Sequence, residues 1–223
     1  MKRMCVFSLF LFFSFLVSGV FAQTENTGSS FITWRANSFY PSNFEGKPSA
    51  VNQSNLTASV TLLQNQKIQD TSNFPISWYL DGDFIQKGTG LSTITFLVGK
   101  TLGSVYSLKA SINTPSGPVD SLVVVPISNS EVVLDAPLPD YSVKVGDVVT
   151  LRSVPYFFNI PSLLDLSFSW FINGVFQDGE SSSGITLTIG NFGVSGKTTV
   201  KSVVKNTKRQ TENQQKEITL FMK

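Results

Sequence analysis

Three acidic residues come closest to a reactive cluster. Asp81 and Asp83 flank Gly82, and Asp70 lies a short way upstream. Calcium takes several carboxylate and carbonyl oxygens, so the three could form a cation site. The spacing argues against it. Asp-Gly-Asp lacks the regular ligand series of an EF-hand loop. The residues 92 positions later are Asn173 and Val175, so a repeat of this stretch drops both charges. A hairpin turn accounts for Asp81-Gly82 better, and no metal site is expected. Paired carboxylates could hydrolyse a glycoside, but the acids are scattered singly. Ser and Lys are frequent, yet no G-x-S-x-G pattern is present. The chain has no histidine, which removes the commonest general base and the commonest zinc ligand together. The one cysteine, Cys5, lies near the N-terminus just ahead of the first apolar run. No catalytic residue and no cofactor are expected, and an enzyme is disfavoured.

Binding chemistry has more to work with. Trp34, Phe39, Tyr40 and Phe44 could stack on sugar rings if they form an exposed coplanar row. A second aromatic stretch, residues 156–161, reads YFFNIP and is followed by Leu163 and Leu164. Phe157 and Phe158 are therefore candidates either for a partner patch or, with better support, for packing between domains. Lys197, Lys201, Lys205, Lys208, Arg209 and Lys216 make the C-terminal part locally basic, diluted by Glu212 and Glu217. A solvated strand face explains them better than an anion site. Asn52-Gln-Ser54 and Asn55-Leu-Thr57 match the glycosylation acceptor pattern, which arises by chance in a Ser- and Asn-rich chain.

The elements that must position these residues are β-strands. Residues 76–90, ISWYLDGDFIQKGTG, and 168–184, FSWFINGVFQDGESSSG, share one design. Each puts a Trp on an alternating apolar run, follows it with Asp-Gly or Asn-Gly, and continues into a second run. Those dipeptides supply the positive φ angles of a two-residue hairpin. Trp78 and Trp170 are 92 positions apart, as are Gly82 and Gly174. That offset is the size of one β-sandwich domain. Leu56, Ala58, Val60 and Leu62 alternate with threonine and serine, as a half-buried strand does. Strands of this length with frequent turns predict an all-β chain of two tandem sandwiches. Residues 64–73 read as a polar loop, and no amphipathic helix is expected.

Residues 1–22 read as a cleaved signal peptide. Lys2 and Arg3 precede an apolar run from Val6 to Val17, and Ser18, Gly19 and Val20-Phe21-Ala22 follow with small residues at the cleavage positions. The run is shorter than the roughly 20 residues of a bilayer span, so no membrane span is expected after cleavage. Without Lys2 and Arg3 the 17 basic residues become 15, equal to the 15 acidic ones. A neutral chain gives no argument for nucleic acid. An exported β protein without disulfides fits a bacterial source better than an animal one. The expected division is a signal at 1–22, a flexible lead-in at 23–30, domains at 31–126 and 131–223, and a linker at 127–130. That linker has no glycine and little length, so it is not a loose tether. The 156–161 loop is expected to rest on the first domain near Pro126.

The Trp, the two-residue turn and the stretch Gly103-Ser-Val-Tyr106-Ser-Leu108 resemble bacterial immunoglobulin-like repeats, including the polycystic-kidney-disease type. Tyr106, two residues before Leu108, resembles the tyrosine corner of such sandwiches. The second copy has Thr198 there, so the resemblance gives it no corner. Trp78, Trp170 and Tyr106 mark the two cores in this reading. Such repeats serve as spacers and adhesive modules, which implies a non-enzymatic, secreted, cell-surface or periplasmic protein with an unidentified protein or glycan partner. The alternative is a carbohydrate-binding module that uses Trp34, Phe39, Tyr40 and Phe44.

Overall fold

The computed structural model describes residues 28–190 and 196–223. The signal segment and most of the lead-in lie outside the described residues. The first half contains β1 (Ser29–Asn37), β2 (Ala50–Val51), β3 (Asn55–Gln64), β4 (Lys67–Gln69), β5 (Pro75–Leu80), β6 (Asp83–Thr89), β7 (Thr93–Leu97), β8 (Val105–Thr114) and β9 (Gly117–Ser128). The second contains β10 (Glu131–Asp135), β11 (Ser142–Val143), β12 (Val148–Tyr156), β13 (Leu166–Ile172), β14 (Val175–Phe176), β15 (Gly184–Thr188), β16 (Lys197–Asn206) and β17 (Asn213–Met222). Two 3-10 turns are the only helical pieces among the described residues.

Each half is a two-sheet sandwich, and the two share one topology. In the first, β3 pairs with β1 and β7, while the facing sheet runs β2-β9-β8-β5-β6. In the second, β12 pairs with β10 and β15, while the facing sheet runs β11-β17-β16-β13-β14. In both, the short strand at the sheet edge runs parallel to the last strand, and the long pairings between sequence neighbours are antiparallel. This is the immunoglobulin-like arrangement, twice over. The polar stretch read as a loop carries a short hairpin instead. Asn65 and Gln66 adopt left-handed φ angles of 53° and 60°, which turn β3 back into β4. Strand β1 begins at Ser29, inside the stretch read as lead-in, because Ser29 and Ser30 find partners opposite Leu63 and Leu62. Strand β9 likewise runs through to Ser128, leaving Asn129 and Ser130 before β10.

The alternation of the sequence is the alternation of the sandwich. Leu56, Ala58, Val60 and Leu62 of β3 are buried, as are Leu108, Ala110 and Ile112 of β8. They close on Trp78, which is fully buried in the first core. Its indole N–H donates to the Leu91 carbonyl at 2.9 Å, so the one polar atom of the ring is satisfied. Trp170 repeats this in the second core, donating to the Ser182 carbonyl at 3.0 Å. Tyr106 is buried, and its hydroxyl accepts the Gly99 N–H at 2.9 Å, as a tyrosine corner does. Thr198 is buried at the matching place but donates its hydroxyl to Asn173 Oδ1 at 2.9 Å.

The two hairpin turns match atom for atom. Asp81 and Gly82 have φ of 54° and 93°, and Asn173 and Gly174 have 47° and 79°. Asp81 Oδ1 accepts the Ser107 N–H at 2.9 Å, and Asn173 Oδ1 accepts the Thr199 N–H at 2.9 Å. The Asp81 carboxylate is thus used within the fold, capping β8 and pairing with Lys100 at 2.7 Å. Its pKa lies below the ordinary 3.8, first through the hydrogen bond from Lys100 and then through that from Ser107. A carboxyl held low in the folded state contributes stability above its unfolded pKa and loses it as pH falls through the folded value. The pair is exposed, so the effect is small. Asp81→Asn should keep the cap, as the second domain does, and remove this part of the acid sensitivity below about pH 4. Asp81→Ala should cost about 1 kcal/mol through the lost hydrogen bond. Acid titrations followed by circular dichroism check both. Equal losses for the two variants would mean that the cap contributes nothing.

Candidate functional site: the joint between the two domains

The described residues hold no cluster of three or more acidic, Cys or His side chains that could ligate a metal. Asp70 is engaged locally, accepting from the Ser72 N–H at 2.9 Å and hydroxyl at 2.8 Å. The most elaborate side-chain constellation lies instead where the two sandwiches meet, and most of the aromatic residues singled out in the sequence converge there.

Its centre is a β-bridge between the domains, pairing Phe39 with Phe158. The Phe39 N–H donates to the Phe158 carbonyl at 2.7 Å, and the Phe157 N–H donates to the Phe39 carbonyl. The segment between β1 and β2 of the first domain therefore pairs with the loop after β12 of the second. Phe157 holds a left-handed φ of 62°, uncommon for an aromatic residue, and the bridge fixes it there. Such a backbone costs of order 1–3 kcal/mol, so its surroundings must enforce it.

The rings divide between two jobs. Phe158 is 0 % exposed and packs with Val132, Ile160, Leu166, Phe168 and Val204 at the near end of the second domain. Phe39, from the first domain, packs against that same cluster. Beside them, Phe44 meets Phe157 edge-on at 5.5 Å and Tyr156 at 5.7 Å, and Tyr40 lies 5.8 Å from Phe44. Edge-to-face pairs of this kind contribute about 0.5–1.5 kcal/mol each.

A polar network borders the rings. The Glu212 carboxylate accepts from the Asn159 N–H at 2.8 Å, from Asn159 Nδ2 at 3.1 Å and from Asn206 Nδ2 at 2.6 Å. Asn159 Nδ2 also donates across the joint to the Asn52 carbonyl at 2.9 Å. Arg209, in the turn between β16 and β17, donates to the Gln53 carbonyl at 3.2 Å. Gln53 has a left-handed φ of 63°, which turns the chain from β2 into β3. Asn159 and Asn206 carry no signal of this role in the sequence. Arg209 and Glu212 read there as parts of a solvated strand face, and only the fold brings them to the joint beside Asn52 and Gln53.

These positions correct several expectations. Phe158 is a core residue of the second domain and offers no surface to an outside partner. Phe157 faces Phe44 rather than solvent. The loop is an inter-domain contact, but its partners are Phe39, Phe44 and Asn52, where the sequence placed it near Pro126. The sugar-stacking row does not form. Phe39 and Phe44 are part of the joint, Trp34 is half-buried under the Lys47 ammonium at 3.4 Å, and only Tyr40 is exposed. Its ring is inclined 57° to that of Phe44, so no flat platform exists. The carbohydrate-binding alternative thereby loses its support. Asn52 of the first acceptor triplet is held at the joint, with its side chain donating to the Lys100 carbonyl at 3.1 Å.

No protein-family description matches the chain, and no curated protein matches it. Solved structures do. Three N-terminal domains of the bacteriophage RB49 Highly Immunogenic Outer Capsid protein align at 14% identity and a TM-score of 0.47, over 88% of this chain and 59% of that one. The ICAM-5 D1-D4 ectodomain fragment aligns at 10% identity and 0.33, over 86% and 53%. Fibronectin(III)-like modules of Clostridium thermocellum CbhA align at 13% identity and 0.30, over 86% and 94%. The chain therefore spans about three fifths of the phage fragment. Such distant likenesses say nothing of role, and the fold assignment rests on the strand order above.

Proposed function

We propose that this chain is an exported, non-catalytic module whose two immunoglobulin-like domains form one stiff unit, acting as a spacer or adhesion piece at a bacterial surface. The observation that carries the reading is the joint. A free linker needs no backbone pairing across it, and this one has a β-bridge, a ring cluster and a polar border. Inter-domain motion is the default expectation for tandem domains unless the interface is extensive and apolar, and here the first domain's Phe39, half-buried, packs against a buried cluster of the second domain. Stiffness is useful where a module must hold a partner at a distance. Support for export comes from residues 1–22, with their basic start, apolar run and small residues before Gln23.

The test has two arms. Nitrogen-15 relaxation on the chain from Gln23 onward should give both domains one tumbling time. Two separate times would overturn the stiff unit. Expression of the whole chain in a bacterial host should yield extracytoplasmic protein whose mass begins at Gln23. Protein that stays in the cytoplasm with residues 1–22 attached would overturn export.

A further inference from the structure

The outer face of the first domain's larger sheet is patterned for a second copy of itself. Trp78 and Ala110 are buried in the core, so by alternation Ser77 and Tyr79 of β5 and Lys109 and Ser111 of β8 lie on the outer face, where Tyr79, Lys109 and Ser111 are half-buried and Ser77 is only 7% exposed. Strand register then lays two rows across the face. One reads Lys87, Ser77, Ser111, Asp120 from β6 to β9, and the next reads Phe84, Tyr79, Lys109, Leu122. Phe84 is 60% exposed, Leu122 65%, and Val124 beside them 55%. Phe84 and Tyr79 meet edge-on at 5.9 Å, and the Lys109 ammonium lies 5.8 Å from the Tyr79 ring.

Each row is complementary to its own reverse. A two-fold axis along the strands, between β5 and β8, sets β6 of one copy over β9 of the other and β5 over β8. Lys87 then meets Asp120, Phe84 meets Leu122 and Tyr79 meets Lys109, each contact occurring twice by symmetry, while Ser77 lies below the contact surface. Charge meets opposite charge, apolar meets apolar, and an ammonium meets an aromatic face. Lys109 and Asp120 already pair within one copy at 2.7 Å, but that exposed bridge is worth little and is readily exchanged. The area fits a weak, reversible dimer. Strands β6, β5, β8 and β9, the four that overlap, have 7, 6, 10 and 12 residues. At about 4.8 Å between strands and about 3.4 Å per residue they present roughly 570 Å² of face, below the ~800 Å² per partner of a standard interface and in the range of transient ones.

The second domain is the internal control. Phe171, Phe176 and Lys201 repeat Tyr79, Phe84 and Lys109 at the 92-residue offset, with the rings 5.5 Å apart and the ammonium 4.8 Å from Phe171. Its row ends on Glu217, so reversing it would set a carboxylate on Phe176. The aromatic-lysine motif alone is thus a way of packing a hairpin. The self-complementary row belongs to the first domain only.

We propose that two copies of the chain pair through this face of the first domain, whether or not the chain is exported. Sedimentation velocity over a concentration series tests it, using the chain from Gln23 onward. The wild type should pass from monomer to dimer. Phe84→Glu should abolish the dimer, and Phe176→Glu, in the second domain, should leave it unchanged. Lys87→Glu and Asp120→Lys should each weaken association by about tenfold or more, because both symmetric contacts become like-charged. An equimolar mixture of these two variants should associate again. In the mixed dimer the new carboxylate at position 87 of one copy faces the new ammonium at position 120 of the other, and the second contact keeps its native Asp120 and Lys87. A wild type that stays monomeric at its highest soluble concentration would overturn the proposal. So would a mixture no tighter than its components, or a dimer lost equally to Phe176→Glu. Thermal melts of each variant confirm that these surface changes leave the fold intact.

Discussion

Trp78→Ala is expected to destabilise mainly the first domain, and Trp170→Ala mainly the second. Both rings are fully buried, and each indole N–H satisfies a carbonyl that would otherwise face a cavity. Removing a buried Trp costs about 3–5 kcal/mol. The total stability of a domain of this size is about 5–15 kcal/mol. One kcal/mol moves the melting temperature of such a domain by roughly 4–8 °C, so a shift of about 12 °C or more is expected, chiefly in one transition. Differential scanning calorimetry resolves the two transitions. Trp→Phe at the same sites should cost less, because the ring volume largely remains and only the indole hydrogen bond and some contact are lost. If either alanine variant left both transitions in place, that Trp would not support its core.

What was legible in the sequence follows from what is local. The two hairpins could be read because Asp81-Gly82 and Asn173-Gly174 carry their turn chemistry in two adjacent residues. The buried faces of β3 and β8 could be read because alternation is a property of a few consecutive residues. Tyr106 was legible as a corner through the resemblance to immunoglobulin-like repeats, carried by its place two residues before Leu108 near the start of β8. The joint was only half legible. An apolar loop at 156–161 announces that something must cover it, but not what. Its cover is Phe39 and Phe44, more than a hundred residues earlier, on a stretch whose prolines and glycine gave no period. Those two rings looked like free binding groups because nothing local accounts for them. The Glu212 network was invisible for the same reason, since its donor Asn159 comes from a loop 53 residues before Glu212 and 47 before Asn206. The hairpin at β4 was missed because its turn uses Asn65 and Gln66, without the glycine that usually marks one.

The joint predicts three graded outcomes that separate stiffness from folding. Phe158→Ala should damage the second domain itself, by about 3–5 kcal/mol, because the ring is wholly inside that core. Phe39→Ala should lower the same transition by a smaller amount, about 1–3 kcal/mol, since the ring is half-buried. That loss would be non-local in the chain: a residue ahead of β2 would set the stability of the domain that begins at β10. Replacing Phe44 and Phe157 together with serine removes the edge-on pairs and spares both cores. The loss there is about 1–3 kcal/mol of contact between domains. Each ~1.4 kcal/mol changes the ratio of closed to open joints tenfold. Small-angle scattering should therefore show a broader distribution of inter-domain angles in the double variant, with both melting transitions nearly unmoved. Unchanged scattering would mean that the β-bridge and the Asn159 hydrogen bond hold the angle without the rings. A fall in the first domain's transition on Phe39→Ala, with the second unmoved, would mean that Phe39 belongs energetically to its own domain. In that case the two sandwiches would touch without supporting each other.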